Sequence, residues 1–350
     1  MPLFAAEGIG IDIGSMQTSI FTDSANEVVL REPSSVLVSA ANLQDVICVG
    51  RDARMALGRT GQDTVLISPV QQGAVADIEM AALLMVALCE KATERKRPME
   101  KATLVCGLGG GATKVERSAL FQAMNATGAK KTAALRTPVA AALGADIDIS
   151  RPRGRLIVSL GGGTTEIAVL SMNSIVALRL MRFGGQDMDE AIVNWFRREK
   201  QIIIGMRTAE QLKRELGTVS AADASEDEEP VLLKGKDART GAPMSLQITS
   251  MDIKSALDTS VTRVVDAVRS ALQNVPPELS VDISETGIQL TGGGALLEGL
   301  DRRLADETGL VVRMSDHPQD DVVMGLGAAA SNDKLLGALV KTGAAEASGE

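Results

Sequence analysis

The chain has 350 residues, of which 45% are apolar, with a formal net charge of -9 and only six aromatic side chains, five Phe and one Trp. An acidic protein so poor in rings is expected to have no extended nucleic-acid footprint and no base-stacking platform, and no apolar stretch is long enough to span a bilayer. The opening residues lack the basic start and apolar run of a secretory signal. Cys48, Cys89 and Cys106 have neither disulfide nor metal-site spacing, so a cytoplasmic protein of two or three domains with reduced core thiols is expected.

In chain order, residues 8–39 read as short alternating strands, and inside them residues 10–18 spell Gly-Ile-Asp-Ile-Gly-Ser-Met-Gln-Thr. A strand at 45–49 and a helix at 51–57 follow. Ala76 and Asp77 lead into a Met-, Leu- and Ala-rich helix over 78–93, whose 80–88 stretch reads as core. Arg95, Lys96 and Arg97 form its solvated end and Pro98 its stop. A strand at 104–107, a glycine turn at 109–111, a helix at 114–127 ended by Gly128 and a helix at 138–144 complete the first half. After a polar joint at 151–154, residues 158–165 spell Val-Ser-Leu-Gly-Gly-Gly-Thr-Thr. The second half continues with a strand to 182, a helix at 186–200 and a helix at 208–216 capped by Thr208. Residues 221–230 read as an exposed acidic loop, flanked by strands at 231–236 and 245–249. A long helix to Asn274, capped by Ser250 or Asp252, precedes a third glycine turn at 290–295. The Ala-, Gly-, Ser- and Glu-rich end from Thr342 is expected to be disordered.

The two strand-glycine-strand units are the most informative pattern. Each reads as a hairpin whose tip can wrap a phosphate with backbone N–H groups, because glycine takes positive φ freely and lets a ligand approach the main chain. Two duplicated halves gripping one phosphorylated ligand follow from this. Aligning the units sets Asp12 opposite Ser159, Gly14 opposite Gly161 and Thr18 opposite Thr165, a carboxylate in one half against a hydroxyl in the other. Other chemistry is weak. His317, the single histidine, sits in a turn-like context, and Ser159 has neither a Gly-x-Ser-x-Gly frame nor a histidine to activate it.

Residues 10–14, 75–77, 162–166, 184–192, 207–210, 290–297 and 325–327, in this order and at this spacing, make the chain resemble the MreB family of bacterial actin homologues, the rod shape-determining proteins, from Gly8 to about Ala330. The resemblance implies an α/β actin-like fold, that of actin, the heat-shock chaperones and the sugar kinases, with two duplicated domains around a nucleotide cleft. Domain I would cover residues 1–150 with a small subdomain at about 32–75. Domain II would cover 151–335 with a small subdomain at about 218–249, and 336–350 would be a disordered tail. The ligand implied is ATP with Mg2+. Gly14, Ser15, Met16 and Gln17 would form one phosphate loop and Gly161, Gly162, Gly163 and Thr164 the other. Glu210 and Lys213 would hold ribose and adenine, Gly292, Gly293, Gly294 and Ala295 would floor the base, and Asp12 would hold the metal through water.

The departures from the family pattern bear on turnover. The family carries Asp where Ser159 stands and Glu where Thr137 stands, and neither hydroxyl can replace a carboxylate as a proton acceptor or metal organiser. ATP binding with weak or absent hydrolysis is therefore expected, with no residue assigned a catalytic role. Leu3 and Phe4 are the candidate membrane wedge. The expected function is a cytoskeletal subunit that polymerises into membrane-associated filaments and contributes to cell shape, cytoplasmic and peripheral to the inner face of the membrane. Its partners would be its own copies, the membrane, another family member and membrane shape-complex proteins, with no nucleic acid. The alternative is a non-polymerising nucleotide-binding paralogue that caps or regulates an active member. An actin-fold kinase or chaperone-type ATPase fits less well, because the site acids are depleted.

Overall fold

A computed structural model describes residues 7–56, 59, 61, 63–219 and 229–348. The chain opens as an antiparallel meander of β1 (Gly8–Ile13), β2 (Gln17–Thr22) and β3 (Glu27–Pro33), as period-two alternation broken by tight turns dictates. β4 (Val36–Ser39), β5 (Val46–Val49), α1 (Gly50–Ala56) and β6 (Thr64–Ile67) follow, the strands forming a small sheet in the order β5-β4-β6. β7 (Val70–Gln71) and β8 (Ala74–Val75) make a minimal hairpin whose turn, Gln72 and Gly73, has positive φ. The carboxylate of Asp77 accepts from the Met80 N–H at 3.0 Å and so caps α2 (Ile78–Thr93). Met80, Leu84, Met85 and Leu88 of α2 are buried in the first core. Cys89 and Cys106 are buried there too, their thiols pushed up by desolvation. β9 (Thr103–Leu108), α3 (Lys114–Ala126), β10 (Lys131–Arg136) and α4 (Thr137–Gly144) complete this half.

The second half repeats the opening with β11 (Arg155–Leu160), β12 (Thr165–Ser171) and β13 (Ser174–Met181). It continues through α5 (Gly185–Glu199), β14 (Ile202–Ile203), α6 (Met206–Leu216), β15 (Val231–Asp237), β16 (Pro243–Ile248) and α7 (Ser250–Gln273). Two caps differ from expectation. α6 begins before Thr208, with Gly205 as its N-cap, and Thr249 caps α7 while Asp252 supplies the reciprocal half of a capping box. The acidic loop lies largely outside the described residues, as do Leu3 and Phe4. α8 (Pro277–Thr286), β17 (Ile288–Thr291), α9 (Leu300–Thr308), β18 (Val312–Arg313) and α10 (Asp321–Ala330) lead to α11 (Asp333–Lys341) and β19 (Ala345–Ala347).

The tail therefore departs from the expectation of disorder over 336–350. Asn332 caps α11 through the N–H groups of Lys334 and Leu335, and β19 pairs antiparallel with β10, Leu135 opposite Ala345. The small residues that suggested disorder are what lets this strand lie close, with Ala344 and Ala345 buried. The pairing covers an edge that β10 would otherwise expose.

The larger sheet runs β19-β10-β9-β1-β2-β3 and its counterpart β13-β12-β11-β17-β18, with a third sheet β14-β15-β16 to one side. Between the two large sheets lies a helix layer: α10 packs on β1 and β9, α4 on β11 and β12. The two helices touch backbone to backbone. A Cβ on Gly144 would fall 1.7 Å from the Asp321 carbonyl oxygen, and one on Gly325 only 1.9 Å from that of Ala140, so no larger residue fits this crossing. Val105 and Leu135 of one sheet, Ile157 and Ala168 of the other, and Ala140 and Leu326 of the helices form one continuous core that fixes the halves to each other.

Candidate functional site

The two hairpins close in the same way. The Gly14 N–H donates to the Gln17 carbonyl at 3.0 Å and the Gly161 N–H to the Thr164 carbonyl at 2.9 Å. The tips face one another: a Cβ on Gly162 would lie 2.5 Å from Met16 Cγ, and one on Gly163 2.6 Å from Ser15 Oγ. Glycine at both positions is what permits this approach. Ser15 Oγ also accepts from the Gly73 N–H at 2.9 Å, so the β7–β8 turn leans on the first tip. A cavity of about 480 Å³ opens between the halves, and residues 14–17 and 161–164 all line it.

Strand register determines what stands below the tips. Asp12 on β1 is paired with Ser19 on β2, and Ser159 on β11 is paired with Glu166 on β12. Directly opposed residues of an antiparallel pair share a face, and all four line the cavity. Each half thus supplies one carboxylate and one hydroxyl, with the order of strands exchanged. Ser159 leaves a hydroxyl at its position, and Glu166 on the neighbouring strand brings a carboxylate to the same half of the site. Aligning the two motifs one residue past Thr18 and Thr165 would have paired Ser19 with Glu166 and revealed it.

Glu166 is nearly fully buried and reaches across to the first half. Its Oε1 accepts from the Gly110 N–H at 2.6 Å, and its Oε2 accepts from the Thr137 hydroxyl. Burial raises its pKa, while these two donors and Arg136 oppose the rise. Asp12 is pushed up to about 6, first by burial and then by the charge of Glu166. Arg136 in turn donates to the Gly109 and Gly110 carbonyls at 3.2 and 3.4 Å and pairs with Glu346 of β19, so the recovered tail strand supports the turn that holds Glu166.

At the other end, Glu210 and Lys213 of α6 line the cavity, each already engaged by protein groups. Glu210 pairs with Arg54 of α1 at 2.6 Å and Arg214 at 2.7 Å. Lys213 pairs with buried Asp189 at 2.7 Å and donates to the Gly185 carbonyl at 2.6 Å; burial nevertheless pushes Asp189 up to about 6. Gly292, Gly293 and Gly294 line the cavity, and Gly292 has φ of 85° with its α-carbon against the Leu160 main chain. Ala295 belongs to the hydrophobic core behind them and does not line it. Arg182, unflagged by any motif, spans the cleft to the Gln72 carbonyl at 3.1 Å and to Glu116. His317 is exposed in the turn before α10.

The donor set suits a phosphorylated ligand with a hydrated cation. Among the described residues no three His, Cys, Asp or Glu side chains form a metal cage. Mg2+ does not need one, since it keeps several waters and takes phosphate oxygens. Among the described residues no helix is long and apolar enough to cross a membrane.

Two sheets joined through a helix layer, each opening with a glycine-tipped hairpin that faces the other across a cleft, define an actin-like fold. The MreB/Mbl protein family model matches residues 6–337, and the chain belongs to that family. It is 38% identical over 326 residues to the cell shape-determining protein MreB of Escherichia coli (strain K12), covering 92% of each chain. It is 37% identical over 331 residues to the cell shape-determining protein Mbl of Bacillus subtilis (strain 168), covering 94% of this chain and 98% of that one. Among solved structures, MreB5 of Spiroplasma citri bound to AMPPNP superposes with a TM-score of 0.88 at 29% identity, over 97% of this chain and 99% of that one. The MamK double helical filament, at 19% identity and a TM-score of 0.76 over 93% and 99% of the two chains, shares the fold.

Proposed function

We propose that this chain is a cytoskeletal subunit that binds ATP with Mg2+ in the cleft, polymerises into membrane-associated filaments and contributes to cell shape, with weak or absent ATP hydrolysis. The observation that carries the reading is the face-to-face contact of the two hairpin tips, Met16 against Gly162 and Ser15 against Gly163. It supports a ligand whose phosphates are wrapped from both halves at once. Family membership and the AMPPNP-bound neighbour support the nucleotide assignment, and the filament of the MamK neighbour supports assembly.

In this reading residues 14–17 and 161–164 cradle the phosphates, Asp12 holds the cation through water, and Glu210, Lys213 and Gly292 to Gly294 surround the nucleoside. A bound cation neutralises the Asp12 and Glu166 charges that oppose each other in the free protein. Self-repulsion from the net charge of -9 opposes assembly, so added salt or magnesium strengthens it. The test is sedimentation and electron microscopy of the purified protein with ATP and Mg2+, in solution and on a lipid monolayer. Filaments on lipid are expected. A protein that binds ATP and stays monomeric in both settings removes the polymer reading in favour of a capping paralogue.

A further inference from the structure

We propose that Glu166 is the carboxylate that orients and deprotonates the attacking water in this cleft, held for that task by the Thr137 hydroxyl and the Gly110 N–H. The inference rests on the reading that the cleft binds ATP, and it commits that reading to hydrolysis that is weak rather than absent.

The placement is set by the fold. Glu166 follows the second hairpin tip by one residue, is opposed to Ser159 in the ladder, and lines the cavity beside Gly107, Gly109 and Thr137. Each carboxylate oxygen accepts one hydrogen bond and keeps a further lone pair. A side chain pinned at both oxygens loses little conformational entropy when a water docks on it. Thr137 stands where an acid was expected, and its hydroxyl supports a carboxylate arriving from the opposite half.

The step balances without any further reactant. The water oxygen forms a bond to the terminal phosphorus. The bond from that phosphorus to its bridging oxygen breaks, and its electron pair leaves on the diphosphate. The water proton passes to Glu166 and then to solvent.

The alternative is that Glu166 merely ties the halves together through Gly110 and Thr137. Glu166→Gln separates the two roles, because the amide oxygen can still accept from Gly110 and the amide nitrogen can donate to the Thr137 oxygen, while the base is gone. Single-turnover phosphate release and calorimetry with AMPPNP are measured on the full chain with Mg2+. Phosphate release is expected to fall by about 10²-fold or more with AMPPNP affinity unchanged. A second variant, Thr137→Val, removes the supporting hydroxyl and keeps the carboxylate, and a smaller fall in rate is expected. Phosphate release by Glu166→Gln equal to wild type overturns the proposal, as does wild-type release no faster than the protein-free background. Failure of wild type to bind AMPPNP overturns the nucleotide reading and this proposal with it, and calorimetry reports that failure separately.

Discussion

Arg54 of α1 and Glu210 of α6 form an ion pair at 2.6 Å that joins the small β5-β4-β6 unit of the first half to the second half across the cleft. Glu210 lines the cavity and its other oxygen is held by Arg214. In the proposed reading, a nucleoside beside Glu210 would meet a closed contact between the halves. Replacing the arginine by an apolar side chain of similar reach, Arg54→Met, is expected to speed nucleotide exchange. Both partners keep some exposure, so the cost in stability is limited to about 0.5–1 kcal/mol. Stopped-flow release of a fluorescent nucleotide checks this, and an unchanged release rate would show that the pair does not restrain the cleft.

Restoring acids at the two degenerate positions is not equivalent at both. Ser159 is opposed to Glu166 in the ladder and faces the cavity, so Ser159→Asp is expected to tighten Mg2+ binding and raise phosphate release. Thr137→Glu replaces the hydroxyl that hydrogen-bonds Glu166 with a second charge at the same spot. Like charges about 4 Å apart repel by about 4 kcal/mol at an effective dielectric near 20, which sets the upper range of the loss. The double variant is expected to melt lower than wild type without metal and to recover with Mg2+. Thermal melts with EDTA and with Mg2+ decide this; a double variant as stable as wild type in EDTA would argue against crowding of the acids.

The free protein is expected to be less stable at pH 7 than at pH 5 by reason of Asp12. Its pKa is raised from 3.8 to about 6 in the fold, so between these values the folded state binds the extra proton. The unfavourable contribution is fully present above about 6 and is relieved as pH falls towards 3.8. At a little over 2 pKa units it amounts to at most about 3 kcal/mol. Asp12→Asn should remove the share of this slope that Asp12 contributes, leaving that of Asp189, which burial also raises to about 6, and should raise the melting temperature at pH 7 while weakening Mg-ATP binding. Melting curves from pH 5 to 8, without and with Mg-ATP, give both readings, and a pH dependence as steep in Asp12→Asn as in wild type assigns the slope to other groups.

Much of this fold is legible in the sequence because its signals are local. The two hairpins, the α2 core face and the α3 helix follow from alternation, glycine turns and a cap that act within a few residues. The phosphate-loop residues are read from their glycine tips, whereas Glu210 and Lys213 are placed beside them only by the family resemblance; all of them line one cavity. What was not legible depends on distant parts of the chain. The Arg54–Glu210 and Arg182–Gln72 contacts join residues more than a hundred positions apart. Glu166 stands inside the family-like stretch 162–166, yet its place opposite Ser159 depends on the pairing of β11 with β12, which a motif does not state. Ala295 resembled its glycine neighbours in sequence, yet its methyl group turns into the core. The tail misled through composition, because Ala and Gly favour disorder only where no unpaired strand edge is waiting for them.

That tail is expected to matter for the site as well as for the fold. β19 covers the edge of β10, and Glu346 pairs with both Arg117 and Arg136. Arg136 holds the Gly109 and Gly110 carbonyls, and the Gly110 N–H holds Glu166 at 2.6 Å. Deleting residues 343–350 removes ladder bonds worth about 0.5–1.5 kcal/mol each and frees an edge for pairing between chains. Glu346→Gln leaves the strand in place and weakens only the hold on Arg117 and Arg136. The deletion is expected to lower the melting temperature by several degrees and to increase aggregation. Glu346→Gln is expected to melt close to wild type while releasing phosphate more slowly, because the turn that positions Glu166 is less firmly held. Thermal melts, light scattering and phosphate release on the two variants separate these effects. Phosphate release by Glu346→Gln equal to wild type would confine the tail to a structural role.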